Sequence, residues 1–212
     1  MEQDREIALM EQLMVLQEQR KQWREQLDVE NFIETLKEGA SIHIGEQQFS
    51  FKRMQLDTFL VFIPEEYDLM DQEEIEQKYP YTQRPDYIFT IDFGLHDITF
   101  NRLDEKIDES QFAGFANGVI SGLKKIHPEM VLLNEGTGEE DGLFYSYFDS
   151  ETVSLDGELY LFFGIVLAQN EPAFFSYTCP KDGGEVWGPV CEAMLRTIEN
   201  TLEGERVDDE EN

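Results

Sequence analysis

The sequence predicts an α+β protein: an antiparallel β-sheet flanked by helices, preceded by a long N-terminal α-helix. Three observations predict it. Residues 1–38 contain neither Gly nor Pro and are rich in Glu, Gln, Leu, Met and Arg, all good helix formers. Two stretches, 109–126 and 185–202, repeat apolar residues with a helical period, the mark of a helix that covers another layer. Elsewhere, short runs rich in β-branched and aromatic residues alternate with Gly, Pro, Asn and Asp, which reads as strands joined by turns. Connections that short make antiparallel neighbours rather than parallel crossovers. Strands interrupted by occasional helices then give a sheet with helices on its faces.

The first element is the helix over 5–38. Within it Leu9, Leu13, Leu16, Arg20, Trp23 and Leu27 follow a 4-3-4-3-4 spacing, a heptad seam of the coiled-coil kind broken once by Arg20. The seam has two readings: a stripe docked on the chain's own domain, or a surface for self-association or a partner helix. Asp28 is placed to cap a second short helix through Leu36, which Gly39 stops. Residues 42–44 and 48–53 flank Gly45-Glu46 as a hairpin. A strand over 59–63 ends at Pro64, a short polar helix covers 71–79, and strands over 87–91 and 98–102 are separated at Gly94.

The helix over 109–126 carries Phe112, Phe115, Ala116, Val119, Leu123 and Ile126 on one face, with Asp108 as N-cap and Pro128 as its stop. Four strands follow, over 130–134, 143–148, 159–167 and 173–179. Their turns are read at Gly136/Gly138, Asp156-Gly157 and Asn170-Glu171-Pro172. The third of them is apolar on both faces, which suits a strand with neighbours on either side. The last helix, 185–202, has a stripe of Trp187, Val190, Cys191, Met194, Ile198 and Leu202. Residues 203–212 hold six acids and one Arg and read as a frayed tail. Three regions result: a helical extension over 1–39, an α+β domain over 40–203 and an acidic tail over 204–212.

Charge narrows the function. The chain has 46 Asp and Glu against 16 Lys and Arg, a net charge of −30. Residues 126–180 contain no Lys or Arg and ten acids. Nucleic-acid binding rests on neutralising phosphates with clustered cations, so neither nucleic acid nor an anionic membrane is expected. A basic partner is favoured electrostatically, although acidity also serves solubility alone. The N-terminal MEQDRE is unlike a signal peptide. The longest apolar run, 159–168, is too short to span a bilayer. The expected location is the cytoplasm.

Chemistry-bearing motifs are few. His43, His96 and His127 lie far apart, and Cys179 and Cys191 fit no zinc spacing. A reactive cysteine needs a nearby base or positive charge to lower its pKa; nothing in the sequence places His127 beside either cysteine, and two buried free thiols are expected. No G-x-S-x-G elbow occurs, Gly136-Thr137-Gly138 leads into acids that repel phosphate, and Gly183-Gly184 lacks a P-loop Lys. In 149–158, Val153 and Ser154 stand where a calcium loop needs an oxygen ligand and a Gly. No cofactor, metal or catalytic activity is expected. Aromatic residues crowd both faces of the last four strands, from Phe144 to Tyr177. Either helices cover both faces, or one face leaves an aromatic groove able to hold an apolar peptide.

Three segments carry a likeness to a known fold: FLVFIPEEY at 59–67, KYPYTQRPDYIFTID at 78–92, and FFSYTCPKDGGEVWGPVCEAMLRTIENTL at 174–202. With the order of elements from Phe49 to Leu202, they resemble the PsbP-like fold, and more narrowly bacterial DcrB-type domains. That resemblance implies a binding protein or assembly factor. One branch similar to it, the Eag-type chaperones of type VI secretion, shields apolar effector helices. The expected function is therefore a non-enzymatic protein-binding adaptor or chaperone-like protein with a link to secretion. The alternative is an acidic immunity- or inhibitor-type protein that neutralises a basic partner. The expected partner or oligomer seam is Leu9, Leu13, Leu16, Trp23 and Leu27.

Overall fold

The structure is a computed structural model of the chain, and it describes residue 15 and residues 27–44, 46–80, 84–91, 94–154 and 157–201. Leu9, Leu13, Leu16 and Trp23 of the expected seam lie outside the described residues, as does the greater part of the expected helix over 5–38. Leu27 is described and packs against the core. After it the chain caps and starts helix α1 (Val29–Lys37), with the Asp28 carboxylate accepting from the Asn31 amide at 3.1 Å. Gly39, at φ +71°, stops the helix, a conformation open to glycine without the steric cost of a Cβ. Phe32, Ile33 and Leu36 of α1 are 5%, 2% and 0% exposed, so this helix is part of the core.

Among the described residues three antiparallel sheets follow. β1 (Ile42–Ile44) pairs with β2 (Gln47–Phe49). The run expected at 48–53 breaks at Ser50, and β3 (Phe51–Leu56) pairs instead with β4 (Phe59–Pro64). The main sheet has seven strands in the order β5-β6-β7-β11-β10-β9-β8. Its strands are β5 (Asp68–Leu69), β6 (Tyr87–Ile91), β7 (His96–Arg102), β8 (Val131–Glu140), β9 (Leu143–Ser154), β10 (Gly157–Ala168) and β11 (Glu171–Pro180). β10 lies between β9 and β11, as its two apolar faces require. Helix α2 (Gln72–Lys78) is capped by Asp71, and helix α3 (Glu109–Ile126) covers the expected span.

Two readings of the sequence are corrected. Gly136 and Gly138 are not a turn: β8 runs straight through them to Glu140. The turn falls at Asp141-Gly142, with φ of +51° and +82°, and Gln169-Asn170 turns likewise at +53° and +65°. Both are two-residue hairpins with two positive φ values, whose twist matches that of the strands they join. The last helix, α4 (Gly184–Arg196), ends well short of 202. Thr197 donates its hydroxyl to the Ala193 and Met194 carbonyls at 2.9 and 3.0 Å. The chain then extends as β12 (Glu199–Asn200) along β4. Ile198 misled the periodicity because it is buried, at 2% exposure, in the same core as the helix stripe.

The core is divided by the main sheet. On one face Tyr160, Phe162, Val166, Phe175 and Tyr177 pack under α1, α4 and the β3–β4 hairpin. On the other, Phe148, Ile165 and Leu167 pack under Phe112, Ala116 and Ile120 of α3.

Candidate functional site

The two faces of the sheet are not closed equally. Under α4, Phe162, Val166, Phe175 and Tyr177 are each 0% exposed. Under α3, the alternate residues of the same strands (Leu161, Phe163 and Phe174) stay partly exposed, as do Phe115 and Val119 of α3 beside them. Opposite-face alternation along a strand makes this inevitable once cover is uneven. The aromatic rings there touch one another: Phe115 stacks on Phe174 with centroids 6.3 Å apart, Phe163 lies 5.4 Å from Phe174, and Phe148 lies 5.7 Å from Phe163. Toward β7 the row turns polar, with the Thr99 and Ser176 hydroxyls 2.7 Å apart. The result is a partly exposed row of aromatic rings between α3 and that hydroxyl pair, called the trough below, of the apolar character that can hold an apolar segment.

The polar interior ties elements together. Asp97 is 1% exposed and accepts from Tyr79 Oη at 2.7 Å, Thr90 Oγ1 at 2.9 Å and Lys78 Nζ. It thereby pins the end of α2 to the sheet. Burial, then the Asp97 charge, holds the Tyr79 hydroxyl protonated well above the usual range. Asp149, fully buried, accepts from Tyr160 Oη at 2.9 Å and from Asn134 Nδ2 at 3.2 Å. Arg196 bridges Glu30 at 2.7 Å and Glu140 at 2.9 Å, with its guanidinium 5.4 Å from the Tyr145 ring centre. Burial alone would weaken its charge, but Glu30, Tyr145 and Glu140 outweigh that and raise its pKa. A cleft of about 490 Å³ lies beside it, and both cations lining that cleft, Lys37 and Arg196, are engaged by carboxylates.

Of the titratable residues singled out from sequence, His96, Cys179 and Cys191 lie around Tyr177, whereas His43 and His127 lie elsewhere. His43 lies on β1 and His127 is the C-cap of α3, 3.3 Å from Glu129. His96 Nδ1 lies 2.9 Å from Tyr177 Oη. Tyr177 itself is held neutral, chiefly by burial, in a nest with Trp187 at 4.8 Å between ring centres. Cys179 and Cys191 are buried and not joined in a disulfide. Burial pushes the Cys179 thiol up to about 12, the reverse of an activated nucleophile. Among the described residues no group of three or more His, Cys, Asp or Glu is placed to hold a metal ion. Among the same residues no helix is long and apolar enough to cross a membrane.

No protein-family model matches the chain, and no curated protein does. Solved structures do. The solution structure of cyanobacterial PsbP (CyanoP) from Synechocystis sp. PCC 6803 aligns at a TM-score of 0.52 and 10% identity, over 75% of this chain and 97% of that one. LpqN of Mycobacterium tuberculosis, described as involved in cell envelope biogenesis, aligns at 0.49 and 12% identity, over 77% of this chain and 90% of its own. The Ran-binding protein Mog1p of Saccharomyces cerevisiae aligns at 0.46 and 12%, over 72% and 96%. The fold is PsbP-like.

Proposed function

We propose that this protein is a non-enzymatic, chaperone-like adaptor that holds an apolar segment of another protein in the trough beside α3. The observation that carries the reading is the uneven cover: Leu161, Phe163 and Phe174 stay partly exposed while their neighbours on the opposite face are sealed. Partly exposed aromatic rings are the residue type from which protein-binding sites are built. Eag-type chaperones, which shield apolar helices, are the model for this activity. Leu9, Leu13, Leu16, Trp23 and Leu27 supply a second surface, a seam for self-association or docking, whose 4-3-4-3-4 spacing includes Arg20.

The test of the trough uses a fluorescently labelled amphipathic helical peptide titrated against the full chain. Phe163→Asp and Phe174→Asp each place a charge in the trough, and both should abolish binding, with about the same affinity at low and high salt in the native chain. Native-like binding by both variants would end this reading. The seam is tested by light scattering on the full chain and on a chain beginning at Leu27, which keeps α1 in the core. The full chain should be larger than a monomer and the shortened one monomeric; equal states for the two would remove the seam.

A second reading, neutralisation of a basic partner, is favoured by one observation, the absence of Lys and Arg over 126–180. Steep loss of capture with rising salt would select it.

A further inference from the structure

We propose that the free edge of β8 is a docking strand for a basic, extended segment of a partner protein, added as an eighth strand of the main sheet. Among the described residues β8 pairs with β9 alone, although it is ten residues long. An edge strand offers a row of N–H and C=O groups to any strand that can reach it. A bulge between Leu132 and Asn134 limits the regular stretch to residues 134–140.

The side chains along this edge say what fits. Register with β9 puts Glu135, Thr137 and Glu139 on the α3 face, opposite Phe148, Ser146 and Phe144. All three are exposed, and Glu135, which Lys124 of α3 approaches to 3.5 Å, keeps a side chain that is 70% accessible. On the other face β8 has only backbone at Gly136 and Gly138, and the Tyr147 and Tyr145 rings of β9 lie across them toward the edge. A strand added here meets carboxylates at alternate residues on one face and tyrosine rings on the other. Lys or Arg at every second position complements the first, and apolar side chains complement the second.

The same acids exclude the simplest competitor. A second copy added edge to edge would set Glu135 and Glu139 against Glu135 and Glu139, a like-charge pairing that natural edges use to prevent self-association. Edges are more often guarded by Lys or Pro, and β8 has neither. Guarding with acid alone shuts out this acidic chain and admits a basic one. This site is separate from the aromatic trough, and either can fail without the other.

The test uses the full chain and a synthetic peptide of about ten residues alternating Lys and Val. Amide hydrogen exchange is followed across residues 131–140. Binding should slow exchange at alternate amides of 134–140, and E135K/E139K should weaken it about tenfold. E65K/E66K, an equal charge change at exposed positions just before β5, the strand at the opposite edge of the sheet, should leave it intact. A block-ordered peptide of the same composition should bind weakly. Equal binding of the two peptides, equal loss in both variants, or no change in 131–140 would each overturn the proposal. So would slow exchange of these amides in the free chain, which would mean that the edge is already paired.

Discussion

Two glycines show how one missing side chain positions a neighbour. A Cβ on Gly136 would stand 2.5 Å from Tyr147 Cε1, and one on Gly138 would stand 2.5 Å from Tyr145 Oη. Gly136→Ala must therefore displace a ring that is only 8% exposed. It should destabilise the fold by about 1–3 kcal/mol in denaturant titration. The sequence could not distinguish these glycines from turn residues, since a Gly that opens space for a ring and a Gly that bends the chain are the same letter. Asp97 was equally hidden, because its partners Lys78, Tyr79 and Thr90 come from separate segments. Asp97→Ala leaves the Tyr79 hydroxyl without its acceptor and Thr90 with only the His96 carbonyl at 3.3 Å, and should cost about 2–3 kcal/mol, read as a lower unfolding midpoint. Cys179 gives a pH prediction. Its folded pKa of about 12 stands above its ordinary 9.0, because burial favours the neutral thiol. Stability from that burial is complete below about pH 9 and is lost as pH rises toward about pH 12, where the unfolded chain ionises first. Denaturation midpoints should fall over that window, and fall less in Cys179→Val.

At the scale of elements, sequence periodicity found helices and strands well and their ends less well. Helix α3 matches its expected span because Asp108 and Pro128 bracket it with unambiguous chemistry. α4 has no such stop, and its true end depends on β12 pairing with β4, about 140 residues earlier. Glu199 pairs with Leu60 and Asn200 with Phe59, contacts no local pattern encodes. β9 also outruns its expected end at 148, since residues 149–154, polar except for Val153, continue pairing with β10 as far as Ser154. α1 belongs to the core through Phe32, Ile33 and Leu36. A chain starting at Ala40 should therefore lose several kcal/mol, on the order of 2–5 for each large buried side chain removed. A chain starting at Leu27 keeps those contacts, and thermal melts of the two will separate these outcomes.

For the whole molecule, the class of antiparallel strands with helices was legible, because turn residues and apolar runs alternate along the chain, but the division into three sheets and the short strands β5 and β12 were not. The trough was half legible. Sequence showed aromatics on both faces of β9, β10 and β11 but not which face is sealed, because cover depends on where α3 and α4 land. α4 lands so tightly that a Cβ on Gly164 would stand 2.5 Å from Leu195 Cδ1, whereas α3 leaves Phe163 and Phe174 partly open. The seam at Leu9, Leu13, Leu16 and Trp23 lies outside the described residues, so its role rests on the light-scattering comparison. Raising salt should separate the two surfaces: binding at the Phe163–Phe174 trough should change little, while capture at the β8 edge should weaken steeply.

The stitch between β12 and β4 also has a consequence for biosynthesis. Phe59 and Val61 are 0% exposed in the finished fold, yet part of what covers them, α4 and β12, follows the whole main sheet in the chain. Until α4 and β12 have been made, the β3–β4 hairpin therefore stands on the nascent chain with an uncovered apolar face, the kind of surface that binds chaperones or aggregates. The meander from β8 to β11 is joined by local hairpins, whereas the cover over β4 waits for residues 184–200. A segment made after the main sheet is thus stitched onto one made before it.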